Sequence, residues 1–222
     1  MTASAPGGGR FVVLEGVEGA GKTTQVARLA EWMGARGVPH VVAREPGGTP
    51  VGEAIRSVVL SRVDLEVPPV TELFLILAAR AAFVRDVVRP ALESGRVVVA
   101  DRYELSTLAY QGYGRALDLE QVRRANHLAT GGLRPDVCLV LDVPVDVGTG
   151  RQREGGKRAD RMESEGSAFL ERVREGYLGE AERDDRIVVV DGLGTPDDVH
   201  GRVVDALGPL LGGAETFPHR GA

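Results

Sequence analysis

Nine residues near the N-terminus, Gly16-Val17-Glu18-Gly19-Ala20-Gly21-Lys22-Thr23-Thr24, have the types and the spacing to hold a polyphosphate. Glycine, four residues, then Gly-Lys-Thr lets consecutive backbone N–H groups curl around phosphate oxygens while the N-terminus of a following helix adds its positive dipole end. Lys22 adds a mobile cation and Thr23 a hydroxyl suited to a hard divalent metal. Of 27 basic residues only two, Lys22 and Lys157, are lysine, so the chain writes arginine almost everywhere else, yet keeps lysine where a phosphate-binding loop requires one.

Such a loop needs a further acidic group beside its metal, and two apolar runs end in aspartate, Val97-Val98-Val99-Ala100 in Asp101 and Cys138-Leu139-Val140-Leu141 in Asp142. Asp101 is the better candidate because Arg102 and Tyr103 follow it, and an arginine there can grip a second phosphate by a bidentate fork. A second basic place is the run from Arg151 to Arg161, with five positive charges around Gly155 and Gly156. Folded over a nucleotide as a lid, its arginines would neutralise charge on a transferring phosphoryl group; alone, it reads equally as a solvated charge run. Phosphate on two sides of one site describes a kinase rather than a switch GTPase. The guanine reader Asn-Lys-x-Asp is absent, since the single asparagine, Asn126, precedes His127.

The elements that must position these groups alternate. An apolar run at 11–14 precedes the loop and a helix-like stretch at 25–35 follows it. A second strand is expected over 38–43, a Pro- and Gly-broken loop over 44–50, a helix over 51–60, and a long, largely buried helix over 70–92. Val97 to Ala100 is a β-branched run suited to a central parallel strand. Helices are predicted over 118–129, 146–153, 167–183 and 196–211, with strands around Cys138 and over 187–190. Strict alternation predicts one three-layer α/β domain with a five-stranded parallel sheet, a P-loop NTPase arrangement, spanning residues 10–211 with a lid near 151–164. Residues 1–9 and 212–222 read as flexible tails.

At 43% hydrophobic and 27% charged, the 222 residues can bury a full core, and a net charge of −5 gives no global case for nucleic acid or an acidic membrane as partner. No apolar stretch approaches the ~20 residues a bilayer span needs, and nothing at the start resembles a signal peptide, so a cytoplasmic location is expected. Cys138, the only cysteine, sits inside an apolar run and reads as an inert strand thiol.

Residues 11–24, Arg44-Glu45-Pro46-Gly47-Gly48-Thr49, Asp101-Arg102-Tyr103, Ser106-Thr107-Leu108-Ala109-Tyr110-Gln111-Gly112, and Asp160-Arg161-x-Glu163 with Phe169, Arg174 and Tyr177 together resemble the bacterial thymidylate kinases. The similarity runs from about residue 10 to 210. It implies magnesium-dependent transfer of the γ-phosphoryl of ATP to dTMP, giving dTDP and ADP on the dTTP pathway, by a cytoplasmic homodimer.

Residue by residue, the resemblance implies that the P-loop from Gly16 to Thr24 binds ATP, Lys22 holding the β- and γ-phosphates and Thr23 the Mg2+, with Asp101 ordering the metal through its water shell. Arg102 would bind the acceptor phosphate and Glu18 would reach the sugar 3′-hydroxyl. Because the P-loop offers no arginine, the chain is similar to the lid-arginine type, with Arg153 or Arg158 as the finger and Arg161 as a structural or phosphate-contacting third. Arg80 would donate to a thymine carbonyl with Thr107 and Gln111 as polar partners, Tyr110 would pack on the deoxyribose, and Arg44, Pro46 and Arg56 would line the acceptor-phosphate side. One position departs from the pattern. Where the family stacks a phenylalanine on thymine this chain has Ile76, with Phe74 two residues earlier and therefore on another helical face. Either Ile76 supplies a flat apolar wall or Phe74 enters a rearranged pocket. A kinase for another deoxynucleotide, and an acceptor-free ATPase or nucleotide-binding regulatory module, are the competing readings.

Overall fold

A computed structural model of the chain describes residues 8–62, 64–154, 161–162 and 165–211. The segments 1–7 and 212–222, and with them Lys157, Arg158 and most of the expected lid, lie outside the described residues.

Five parallel strands form one sheet: β1 Arg10–Glu15, β2 His40–Arg44, β3 Val97–Asp101, β4 Val137–Asp142 and β5 Ile187–Asp191, in the order β2-β3-β1-β4-β5. The β-branched runs of β1, β3 and β4 are buried on both faces, as parallel strands covered by helices require. Chain order places β1 centrally and sends the chain first to one side of it and then to the other. The crevice beyond its carboxyl end is thus a topological switch point, where ligands of open α/β sheets bind. Register brings the two predicted phosphate elements together there, since Leu14 pairs with Asp101. Arg102 N–H then donates to Leu14 O at 3.0 Å and Glu45 N–H to Asp101 O at 2.9 Å, which stitches the three loops at that edge.

The helices are α1 Lys22–Ala35, α2 Pro50–Arg56, α3 Pro69–Phe83, α4 Arg89–Glu93, α5 Glu104–Thr107, α6 Leu119–Thr130, α7 Val145–Glu154, α8 Ser167–Ala181 and α9 Pro196–Leu211. Helices α1 and α9 pack together, while α3, α6 and α8 gather around the segment Leu108–Gly114. The start of α2 is capped by Thr49, whose hydroxyl accepts from Gly52 N–H, and that of α6 by Asp118, which accepts from Gln121 N–H.

Three expectations need correction. The helix over 70–92 is one rod only through a wide, π-helical turn at Val84–Val88, and it is not buried all round, because Val70 and Phe74 stand 52% and 63% exposed. No element was expected over 104–114, yet α5 and a second wide-turn segment, Leu108–Gly114, occupy it. Gly9 is no loose tail residue: it is buried, and a Cβ there would meet Leu92 O at 2.6 Å.

Candidate active site

A cleft of about 1230 Å³ opens at the carboxyl edge of the sheet, lined by the P-loop, the Arg44–Pro46 loop, α3, the Asp101–Arg102 corner and the segment Leu108–Gly114. On one side of it the P-loop wraps the N-terminus of α1. Gly21 has φ +95 with nothing near its missing side chain, so conformation rather than space requires glycine there. At Gly19 both apply, because φ is +73 and a Cβ would meet Gly148 O of α7 at 2.0 Å. The Lys22 ammonium donates to Gly16 O at 3.0 Å and Val17 O at 2.8 Å, and burial, reinforced by the charge of Arg102, lowers its pKa.

Thr23 Oγ1 donates to Asp101 Oδ2 at 2.9 Å, so the predicted metal pair meets across the strand register. These oxygen donors suit a hard cation such as Mg2+, which keeps its own waters and takes one or two protein groups together with phosphate oxygens. Asp142, the other candidate, is gripped by Arg174 through two bonds of 2.7 and 2.8 Å and faces that arginine instead of Thr23.

On the opposite side of the cleft Arg102, at φ +75, reaches back under the P-loop. Its guanidinium donates to Gly16 O, Ser106 Oγ, Tyr177 OH and Tyr110 OH at 3.0–3.1 Å and forms an ion pair with Glu18. Burial alone would raise the Glu18 pKa, but Arg102 and Lys22 outweigh it and hold the carboxyl at about 2. Tyr110 OH also donates to Glu18, at 3.4 Å. Arg44, Pro46 and Arg56 line the same end, with Arg56 donating to Pro46 O at 2.9 Å.

Arg80 is 1% exposed and committed on most sides: it donates to Glu45 at 2.8 Å, Thr107 at 2.6 Å, Asn126 at 2.5 Å and Tyr103 O at 2.9 Å. It still lines the cleft, as do Thr107, Tyr110 and Gln111. Glu45, its buried partner, is pushed up to about 7 by burial in spite of the arginine. Of the two candidates for the base wall, Ile76 lines the cleft, whereas Phe74 is exposed on another face of α3 and does not. Residues two apart on a helix diverge by about 200°, so only one of the two can face the cleft.

Arg153 stands exposed in the last turn of α7 and does not line the cleft, while Arg151, two residues before it, does, donating to Gly192 O at 3.2 Å. Arg161 is a structural tie, donating to Val59 O at 2.8 Å and pairing with Glu72.

Two buried carboxylates that bond to residues lining the cleft escaped the sequence reading. Glu15, at the end of β1, accepts from Tyr103 N–H, Ser106 N–H, Ser106 Oγ and Tyr177 OH, at 2.8, 3.2, 2.6 and 2.9 Å, and so shapes the corner that carries Arg102. Burial raises its pKa against the opposing charge of Arg102. Glu72, in the first turn of α3, accepts from Gln111 and Arg115. The available signal was an acid at the edge of an apolar run, which costs too much to bury unless donors surround it.

The thymidylate kinase family model matches residues 14–203. A thymidylate kinase of Desulfosudis oleivorans is 48% identical over 204 residues, covering 89% of this chain and 95% of its own length. One of Cereibacter sphaeroides is 48% identical over 208 residues, covering 91% and 96%. The crystal structure of thymidylate kinase from Ehrlichia chaffeensis superposes with a TM-score of 0.73 at 29% identity, covering 91% of this chain and 100% of that one.

Proposed function

The chain belongs to the thymidylate kinase family, and from that premise we propose how its own residues carry out phosphoryl transfer from ATP to dTMP. It is a nucleoside monophosphate kinase with ATP and dTMP as substrates. The observation that carries the residue assignment is the convergence in one cleft of Lys22 with Thr23 and Asp101 on one side, and of Arg102, Glu18 and Tyr110 on the other.

In this reading the P-loop amides and Lys22 bind the β- and γ-phosphates. Thr23 would hold Mg2+ and Asp101 would order it through its water shell; when bound, the ion would neutralise charge on the phosphate oxygens. Arg102, steered by Glu15, Ser106 and Tyr177, grips the dTMP phosphate, and Arg44 and Arg56 add positive charge to that end. An oxygen of the dTMP phosphate forms the new bond to the γ-phosphorus. The bond to the β,γ-bridging oxygen breaks, and ADP leaves with the electron pair. A phosphate acceptor is already ionised near neutral pH, so positioning and charge neutralisation supply the rate and no general base is needed. Glu18, held ionised, accepts from the sugar 3′-hydroxyl, and Tyr110 packs on the deoxyribose. Arg80 and Gln111 read the base, with Thr107 holding Arg80 and Ile76 forming the apolar wall. Either Arg153 or Arg158 completes the site from the lid.

A homodimer is part of the proposal. It is supported by the exposed face of α3, where Val70, Phe74, Ala78 and Ala81 recur at helical spacing. A cytoplasmic location, where ATP is supplied, completes it; among the described residues no helix is long and apolar enough to cross a membrane.

The test is transfer of label from γ-labelled ATP. Label recovered in dTDP supports the reading, and label released only as inorganic phosphate, with dTMP present, refutes it.

A further inference from the structure

Glu72 is 0% exposed and gathers three side chains from two parts of the fold. It accepts from Gln111 Nε2 at 2.8 Å, from Arg115 Nε at 3.3 Å and Nη2 at 3.1 Å, and pairs with Arg161. Gln111, 1% exposed, lines the cleft; its Nε2 is taken by Glu72, and its Oε1 is buried without a hydrogen-bond partner.

These facts decide which way the amide faces. An ionised carboxylate only accepts, so the NH2 end of Gln111 must lie against Glu72 and the oxygen is the end left for a ligand. A fixed acceptor suits a base whose ring N3 carries hydrogen, as in thymine and uracil. Cytosine presents a bare N3 lone pair, which would face that oxygen with no proton between them, and a buried acceptor left unpaired is costly. Arg80 offers only donors on its side of the cleft and therefore meets a carbonyl rather than an amino group.

We propose that Glu72 is a specificity-determining positioning residue: by holding the Gln111 amide oxygen towards the base, it selects pyrimidine monophosphates that carry a hydrogen on N3 and rejects dCMP. The inference rests on the reading of this cleft as the dTMP site. Glu72 acts through Gln111 and touches no reacting atom. The paired hydrogen bonds from Arg115, one to each carboxylate oxygen, hold Glu72 in place against the amide.

Glu72→Gln tests this, because a neutral amide can donate as well as accept and lets Gln111 rotate. The quantity to measure is the ratio of kcat/KM for dTMP to that for dCMP in the full chain, for wild type, Glu72→Gln, Gln111→Met and the double variant. Glu72→Gln is expected to lower the ratio by about tenfold or more, the scale of one misplaced hydrogen bond in a buried site. In the double variant it is expected to add nothing to the effect of Gln111→Met. Equal losses on both substrates in Glu72→Gln, with the ratio unchanged, would make Glu72 a structural anchor and overturn the proposal. A wild type that phosphorylates dCMP as well as dTMP would instead overturn the assignment of the cleft, and the two failures are thereby distinguished. Should Glu72→Gln not fold, Glu72→Asp replaces it. That variant stays acceptor-only and is expected to keep the ratio within about threefold of wild type, while a collapse of the ratio there contradicts the proposal.

Discussion

Lys22 gives two of its three donors to carbonyls of its own loop, Gly16 O and Val17 O, and keeps the third for a phosphate seated on the same amides. Only the transition state concentrates enough charge on the transferring oxygens to use the ammonium fully. Lys22→Ala is therefore expected to lower kcat by about a thousandfold or more with the melting temperature nearly unchanged. Near-normal turnover would refute the P-loop assignment. Lys22, Thr23, Asp101 and Arg102 were legible in the sequence because motif spacing carries their chemistry directly. Glu15 and Glu72 were not, since what makes them matter is the set of donors brought from residues 103–177 and 111–161, and no local pattern records such partners. Phe74 shows the reverse limit: helical geometry already argued that Phe74 and Ile76 could not share a face, but only the docking of α3 shows which face meets the cleft.

At the scale of elements, the P-loop is held from outside by α7, whose Gly148 lies against Glu18 so closely that a Cβ would meet Glu18 O at 2.4 Å. Gly148→Ala is expected to destabilise by about 1–3 kcal/mol, as overpacking does, and to weaken ATP binding because the loop must move. Gly150→Ala is its control, since no atom lies within 4 Å of a Cβ there and alanine favours a helix. Thermal melts and ATP titrations of the two variants check the claim, and equal behaviour would show that α7 does not brace the loop. The strands and most helices could be read from β-branched runs, 3.6-residue periodicity and caps. The stretch Glu104–Gly114 could not, because its mix of polar, aromatic and glycine residues has no helical stripe. It is helical because Glu15, Arg102 and Tyr177 organise it from other elements. The wide turn at Val84–Val88 was equally unannounced, since its apolar residues suit either helix type.

Across the whole molecule, buried charge makes stability depend on pH in two windows. Glu45 holds its proton up to about 7 in the folded chain, so the stability it contributes is full below the ordinary value of 4.5 and is lost as pH rises through 7. Glu18, held at about 2, contributes stability above 4.5 that is lost as pH falls towards 2. Glu45→Gln is accordingly expected to flatten the decline in melting temperature between pH 5 and 7.5, and parallel curves for variant and wild type would contradict the assignment. The apolar face of α3 yields a second whole-molecule expectation: Phe74→Glu shifts sedimentation from dimer to monomer at micromolar concentration, whereas an unchanged sedimentation coefficient would remove that face from the interface. The central claim is phosphoryl transfer to dTMP in the cleft at the switch point of the sheet. It is tested most directly by ADP release with ATP and Mg2+ in the presence of dTMP, dUMP, dCMP, dGMP or dAMP in parallel. ADP formation that depends on acceptor and is selective for dTMP is the expected result; release that is the same with every acceptor and with none would contradict it.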